Sequence, residues 1–208
     1  MAVSRAEFKI KGASFAFGFD FRGKKVLDIG SSTGGFTEFA LLSGASSVVA
    51  VEKGARQMKA PLRFDPRVEL HEKTDIFEVV SSEHAADRKV VIATPDVILE
   101  KTEKVVIPTP DVILADVSFI SLRPVLAYTK EYIAGAKTDF LVMLKPQFEA
   151  QDSQLNRGVV KNEKMRREII REFESWLKHN GFVIKHKRDN EVAGKKGNIE
   201  RFYWLSMV

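Results

Sequence analysis

Lys145 closes the apolar run DFLVMLK (139–145) and is followed at once by Pro146, and Asp116 closes DVILAD (111–116) in the same way. A lysine and an aspartate at the ends of strand-like runs suit chemistry on a weakly acidic hydroxyl. A neutral lysine takes the hydroxyl proton, and a charged one stabilises the alkoxide that develops; desolvation and a second nearby cation both lower a lysine's pKa. Lys9, in SRAEFKI, is a candidate for that second cation. Glu200, in GNIER, opens the last strand-like run, and with Asp116 it is a candidate for holding the lysines in place. All four are expected at strand ends or next to them, where the carboxyl edge of a doubly wound sheet forms one crevice. By position alone Lys9 and Glu200 read as ordinary solvated charges, whereas a lysine between an apolar strand and a proline does not.

The second candidate is the segment DIGSSTGGFTE (28–38). A strand ends at Asp28–Ile29, a glycine-rich turn follows, and a helix is expected to start at Gly34–Gly35. Glycine lets the chain turn sharply and approach a ligand closely, and the free N–H groups of a helix start favour polar or negative ligand groups. No Gly-Lys-Ser/Thr closes the loop, and Ser32 stands where a dinucleotide fingerprint needs its second glycine, so neither phosphate-binding pattern is met. Glu52 ends the next strand about twenty residues after the glycines, the spacing of a carboxylate that accepts from ribose hydroxyls. Asp75, after the third strand, is placed to receive an adenine amino group, and Asp28 lies near the loop. The same features also read as a tight turn with two solvated acids. An acidic residue beside the loop favours S-adenosylmethionine, which carries no pyrophosphate, over NAD; Asp116 can then face the sulfonium.

Elements to carry these residues alternate along the chain. Strands are expected at KKVLDI (24–29), SSVVAVE (46–52), RVEL (67–70), DVILAD and DFLVMLK, and their unbroken apolar runs suit strands covered on both faces. Helices are expected after the glycine turn, with Phe36, Phe39 and Ala40 at helical spacing and Gly44 as a stop, from Leu122 to Ile133, and from Asn162, an N-cap, to Gly181. The last helix puts Met165, Ile169, Phe173, Trp176 and Leu177 on one face. FVIKHKR and ERFYWLS read as two late strands, the last one antiparallel. This alternation predicts a doubly wound α/β sheet. VVIATPDVIL (90–99) is nearly repeated as VVIPTPDVIL (105–114), a local duplication too short for a solenoid unit; its first copy is expected as an edge hairpin or a surface loop.

The bulk properties set limits. The 208 residues, 44% of them apolar, suffice for one domain, here taken as 1–208. With no Cys, disulfides, thiolate zinc sites and Cys nucleophiles are excluded, and with only four scattered His no dedicated metal site is expected, which leaves only carboxylates to hold Mg²⁺. The Cys-free chain suits a reducing cytoplasm, its N-terminus has no secretory pattern, and no apolar stretch approaches the roughly 18 residues of a membrane helix. A formal charge of +5 attracts polyanions such as RNA, and equally fits an ordinary basic enzyme.

VSRAEFKIKGA, VLDIGSSTGGFTE, ADVSFISL, LVMLKPQFE, GVVKN and GNIERFYWL appear in this order. Together they resemble the TlyA-type, haemolysin-named group of FtsJ-like ribosomal RNA methyltransferases, from about Val3 to Leu205, with ADVSFISL and KPQFE the most specific segments. The resemblance implies a Rossmann-like class I methyltransferase with a seven-stranded sheet, an S-adenosylmethionine cofactor, and 2′-O-methylation of ribose in ribosomal RNA. It implies a catalytic Lys-Asp-Lys-Glu tetrad at Lys9, Asp116, Lys145 and Glu200. It also implies cofactor contacts at Gly30, Ser31, Ser32, Thr33, Gly34, Gly35, Phe36 and Glu52, to which the residue reading adds Asp28, Asp75 and Asp116. Members of the group usually carry a small RNA-binding domain before the methyltransferase domain, and this chain is expected to lack it. Arg5, Lys11 and the basic residues of 185–196 are candidate RNA contacts. An inactive cofactor- and RNA-binding module, a membrane-active haemolysin and an NAD-dependent oxidoreductase are the rival readings. The filled tetrad, the lack of an amphipathic membrane segment and the missing glycine fingerprint weigh against them in turn.

Overall fold

In the computed structural model, residues 5–85, 104–191, 194 and 197–208 are described, Arg5 by its backbone only. The apolar runs form a seven-stranded sheet from β1 (Lys25–Ile29), β2 (Ser47–Glu52), β3 (Val68–Glu72), β4 (Val112–Ala115), β5 (Asp139–Leu144), β6 (Phe182–Asp189) and β7 (Arg201–Met207). Their spatial order is β6-β7-β5-β4-β1-β2-β3. The β4–β5, β4–β1, β1–β2 and β2–β3 ladders are parallel, and β7 alone runs against its neighbours, pairing antiparallel with both β5 and β6. The doubly wound sheet with an antiparallel last strand is therefore as the sequence predicts.

Both faces are covered, which is why the strands read as continuous apolar runs. On one face Leu27, Ile29, Ile113, Phe140, Val142 and Leu144 pack under α3 (Leu122–Tyr132) and α4 (Glu163–His179). On the other, Val26, Val112, Leu114, Leu141 and Met143 pack under α1 (Arg5–Phe17) and α2 (Gly35–Leu42). The predicted caps are in place. The Asn162 side chain accepts from Met165 N at the start of α4, and Gly44 takes a φ of 96° after α2, a left-handed conformation that glycine adopts at little cost. Ile169, Phe173 and Leu177 of α4 are buried; Trp176 is partly buried against them.

The sequence reading placed Lys9 at or beside a strand end, and that is corrected. Lys9 lies within α1, a helix absent from the expected elements because its apolar positions are interrupted by Lys9, Lys11 and Gly12. It is the helix packing on the sheet that brings the side chain to the strand edge. The first copy of the repeat lies outside the described residues. The second copy divides: Val105–Ile107 pairs in parallel with Val79–Ser81 in a separate two-stranded ladder, and Val112–Ala115 is β4. Among the described residues no helix is long and apolar enough to cross a membrane.

Candidate active site

The carboxyl edge of the sheet begins with the glycine turn. Gly30 N donates to Val51 O (2.9 Å), which ties the turn to the end of β2. Gly30 has a φ of 76°, and a Cβ there would meet the Asp116 carbonyl oxygen at 3.2 Å. Gly34 has a φ of 93°, and a Cβ would strike the Leu62 side chain at 2.3 Å. Both positions therefore favour glycine for conformation, and at Gly30 the neighbouring backbone also limits the space. Ser32 also turns with positive φ, and its N–H donates to Glu52 Oε2 (2.8 Å), while Gly54 N donates to Glu52 Oε1 (2.7 Å). Glu52 is thus fixed against the loop. Phe36 is buried against Phe202 of β7, ring centroids 6.0 Å apart. Asp75 caps a short turn of 3₁₀ helix and pairs with Lys53 (2.9 Å); Thr74 N, beside it, donates to Glu52 O (3.1 Å), so Asp75 follows directly on the Glu52 turn.

Beneath the turn, Asp28 is wholly buried. Thr37 Oγ1 donates to its Oδ2 (2.6 Å), and its Oδ1 has no hydrogen-bond partner. Burial pushes this carboxyl up to about 7, against the bond from Thr37, and the charges of Asp116 and Glu52 add to the rise. Ser31 Oγ is likewise buried without a partner.

Next to the turn, four charges meet from distant parts of the chain. Lys145 Nζ lies 2.6 Å from Asp116 Oδ1 and donates to Ser118 Oγ (2.7 Å). Lys9 Nζ pairs with Glu200 Oε2, and both side chains are nearly buried, at 12% and 5% exposed. Burial raises the Asp116 carboxyl above its ordinary range; Lys145 pulls it down, Glu200 pushes it up and Lys9 pulls it down again, so the two ion pairs act on each other. The register explains the meeting. Arg201 stands opposite Leu144 across the β7–β5 ladder, so Glu200 and Lys145 both lie just past that rung. Glu200 precedes the antiparallel strand, and that reversal puts the start of β7 on the edge where β4 and β5 end.

A family model described as FtsJ-like methyltransferase matches residues 2–207. The chain belongs to the FtsJ-like methyltransferase family. Over 204 residues, this FtsJ-like methyltransferase is 31% identical to a 23S rRNA (cytidine-2′-O)-methyltransferase from Campylobacter jejuni, covering 97% of this chain and 70% of that protein. It is 33% identical to a 16S/23S rRNA (cytidine-2′-O)-methyltransferase from Mycobacterium tuberculosis, covering 98% of this chain and 68% of that one. A haemolysin-named crystal structure from Lactococcus lactis superposes with a TM-score of 0.81 at 30% identity, over 98% of this chain and 87% of that one.

Several residues of the FtsJ-like methyltransferase site escape a reading by residue type. Glu149, in the short helix Pro146–Glu149, is one. Its side chain, 2% exposed, accepts from Leu122 N (2.6 Å) and Ser121 Oγ (2.8 Å) and lies 3.3 Å from Arg123 Nε. One buried carboxylate thereby clamps the segment after β5 to the N-terminus of α3, where the helix dipole favours it. Between them, Phe119 is 93% exposed with a φ of 65° and leans on Phe148, ring centroids 5.3 Å apart. Ser118 and Thr37 are the others. The signal for Glu149 and Ser118 was present in ADVSFISL and KPQFE, but as matching strings, without the contact between them. Of the candidate RNA contacts, Lys11 is exposed, while the Arg5 side chain and residues 192, 193, 195 and 196 lie outside the described set.

Proposed function

We propose that this chain transfers a methyl group from S-adenosylmethionine to a ribose 2′-hydroxyl of ribosomal RNA. The observation that carries the reading is the adjacency of the two half-sites: a Cβ on Gly30 would lie 3.2 Å from the backbone oxygen of Asp116, whose carboxylate holds Lys145. The named activities of the Campylobacter and Mycobacterium relatives support the substrate.

The residues present fit the cofactor. Asp28 Oδ1 and Ser31 Oγ are buried polar atoms with no partner in the protein, and such atoms are rare unless a ligand or water completes them. S-adenosylmethionine, when bound, supplies a methyl carbon on a positively charged sulfur. Gly30 to Phe36 would leave room for its backbone-close approach, Glu52 would accept from the ribose hydroxyls through its remaining lone pairs, and Asp75 would receive the adenine amino group. Asp116 would place negative charge beside the cationic portion, and the unpartnered Asp28 Oδ1 would offer a polar atom beneath it. On the acceptor side, Lys145 Nζ would hold the 2′-hydroxyl and, having first given one of its own protons to solvent, would take the hydroxyl proton as the oxygen–methyl bond forms and the methyl–sulfur bond breaks to leave the neutral thioether. Asp116 and Ser118 orient that nitrogen, and the Lys9–Glu200 pair flanks the acceptor from α1.

Incubation with tritiated methyl donor and either ribosomal subunits or free rRNA tests the reading, with the product mapped by resistance of one phosphodiester to alkaline cleavage. A single resistant linkage is expected. Label on a base, on protein, or nowhere overturns the proposal.

A further inference from the structure

On the sheet face opposite α1, a groove runs between α4 and the strands β6 and β7, lined by Lys164, Arg167, Arg171, Lys187, Arg201 and Glu174. We infer that this groove is a docking track for the RNA backbone, apart from the acceptor edge. The inference rests on the proposed RNA substrate.

Lys164, Arg167 and Arg171 fall at helical spacing on one stripe of α4, spanning about 10 Å along its axis. Within the helix the stripe meets opposing terms, since Glu163, Glu168 and Glu174 stand three or four positions from its cations and favour it. Lys164 sits in the first turn, where the helix dipole disfavours a cation, and Arg167 and Arg171 form a like-charged i,i+4 pair, which destabilises a helix. Among the described residues, Lys164 and Arg171 have no hydrogen bond or ion pair, and Arg167 reaches only Glu163 of its own helix, at 3.9 Å to the carboxylate. The acid in the lining is already engaged. Glu174 pairs with Lys187 at 2.8 Å, accepts from Tyr203 Oη at 3.0 Å and lies 4.0 Å from Arg201. Asp189 also lies 3.2 Å from Arg201; five cations against Glu174, Asp189 and Glu163 still leave net positive charge, with Lys164 and Arg171 unpaired, on a surface complementary to a chain of phosphates. Arg201, at the start of β7, is the lining residue nearest in sequence to the charged cluster, next to Glu200 and opposite Leu144 across the β7–β5 ladder.

The test compares the 208-residue chain with the triple variant Lys164→Gln, Arg167→Gln, Arg171→Gln and a charge control, Lys25→Gln with Lys137→Gln, at the other edge of the sheet. Anisotropy of a labelled single-stranded RNA is followed between about 50 and 200 mM salt, and three lost phosphate contacts are expected to flatten the log–log slope by about 2. Affinity of the triple variant at the lowest salt should fall at least ~10-fold, and in methyl transfer its KM should rise with kcat held. An unchanged slope in the triple variant, or an equal change in the control, overturns the docking track. Loss of binding to anionic lipid vesicles with RNA binding intact also overturns it, by assigning the groove to a membrane surface. These binding readouts are independent of catalysis, so a wild-type chain that binds RNA through the groove but methylates none overturns only the proposed reaction.

Discussion

The residues from Asp28 to Phe36 come from one uninterrupted stretch, and backbone hydrogen bonds to the end of β2 hold them. The charged cluster beside them is assembled the other way. Lys9 comes from a helix, Asp116 and Lys145 from the ends of β4 and β5, and Glu200 from the start of β7; Lys9 and Glu200 are separated by 191 positions. The glycine turn requires one strand and one helix to form. The cluster requires α1 to dock and the whole sheet to close. The cofactor side is thus specified locally by conformation, and the acceptor side globally by packing, so damage to one should leave a recognisable remnant of the other.

The sharpest way to separate the two is Lys145→Ala. Methyl transfer is expected to fall by about 10²–10⁴-fold, the usual worth of a positioned proton acceptor, while calorimetric binding of S-adenosylmethionine stays within a few-fold. If cofactor binding collapses along with transfer, the division into two half-sites is wrong. The clamp at Glu149 gives a middle case. Glu149→Ala leaves the buried Leu122 N–H and Arg123 without their acceptor, and the expected loss is about 3 kcal/mol of unfolding free energy. The lost activity should return at low temperature, where the fold recovers. An unaltered melting temperature would show that the two acceptor segments do not depend on this carboxylate.

The last test is on the cofactor side and is read against pH. Asp28 is pushed from 3.8 to about 7 in the folded chain, so the fold keeps a proton that the unfolded chain gives up. Its contribution to stability is therefore complete below about pH 4 and declines as pH rises to about 7. Asp28→Asn removes that dependence. The stability difference between wild type and variant, from urea unfolding at steps of pH, should drift against wild type by on the order of a few kcal/mol across this window and then level off. Parallel pH profiles would mean that Asp28 is ionised throughout.

The same contrast explains what could be read before the structure was known. The glycine turn, Glu52 at the end of β2 and the strand and helix order were legible because each is encoded by neighbours: apolar runs, glycines at turns, and Asn162 before α4. Asp116 and Lys145 were legible as oddities, since a charge ending an apolar strand has few reasons to be there. Lys9 and Glu200 were not. Their roles depend on a tertiary contact, and only the likeness of SRAEFKI and GNIER to a known pattern singled them out. The stripe on α4 was visible as a helix with an apolar face, but its basic side means little until β6 and β7 supply Lys187 and Arg201 across from it.

β7, which follows β6 in the chain, occupies an interior place, between β5 and β6. The chain up to Asp189 carries the turn, Asp116 and Lys145, yet it lacks Glu200 and the strand that joins β6 to the rest. A lesion in β7 is therefore not confined to a rim: it severs β6 from the sheet and takes Glu200 from the acceptor side at the same time.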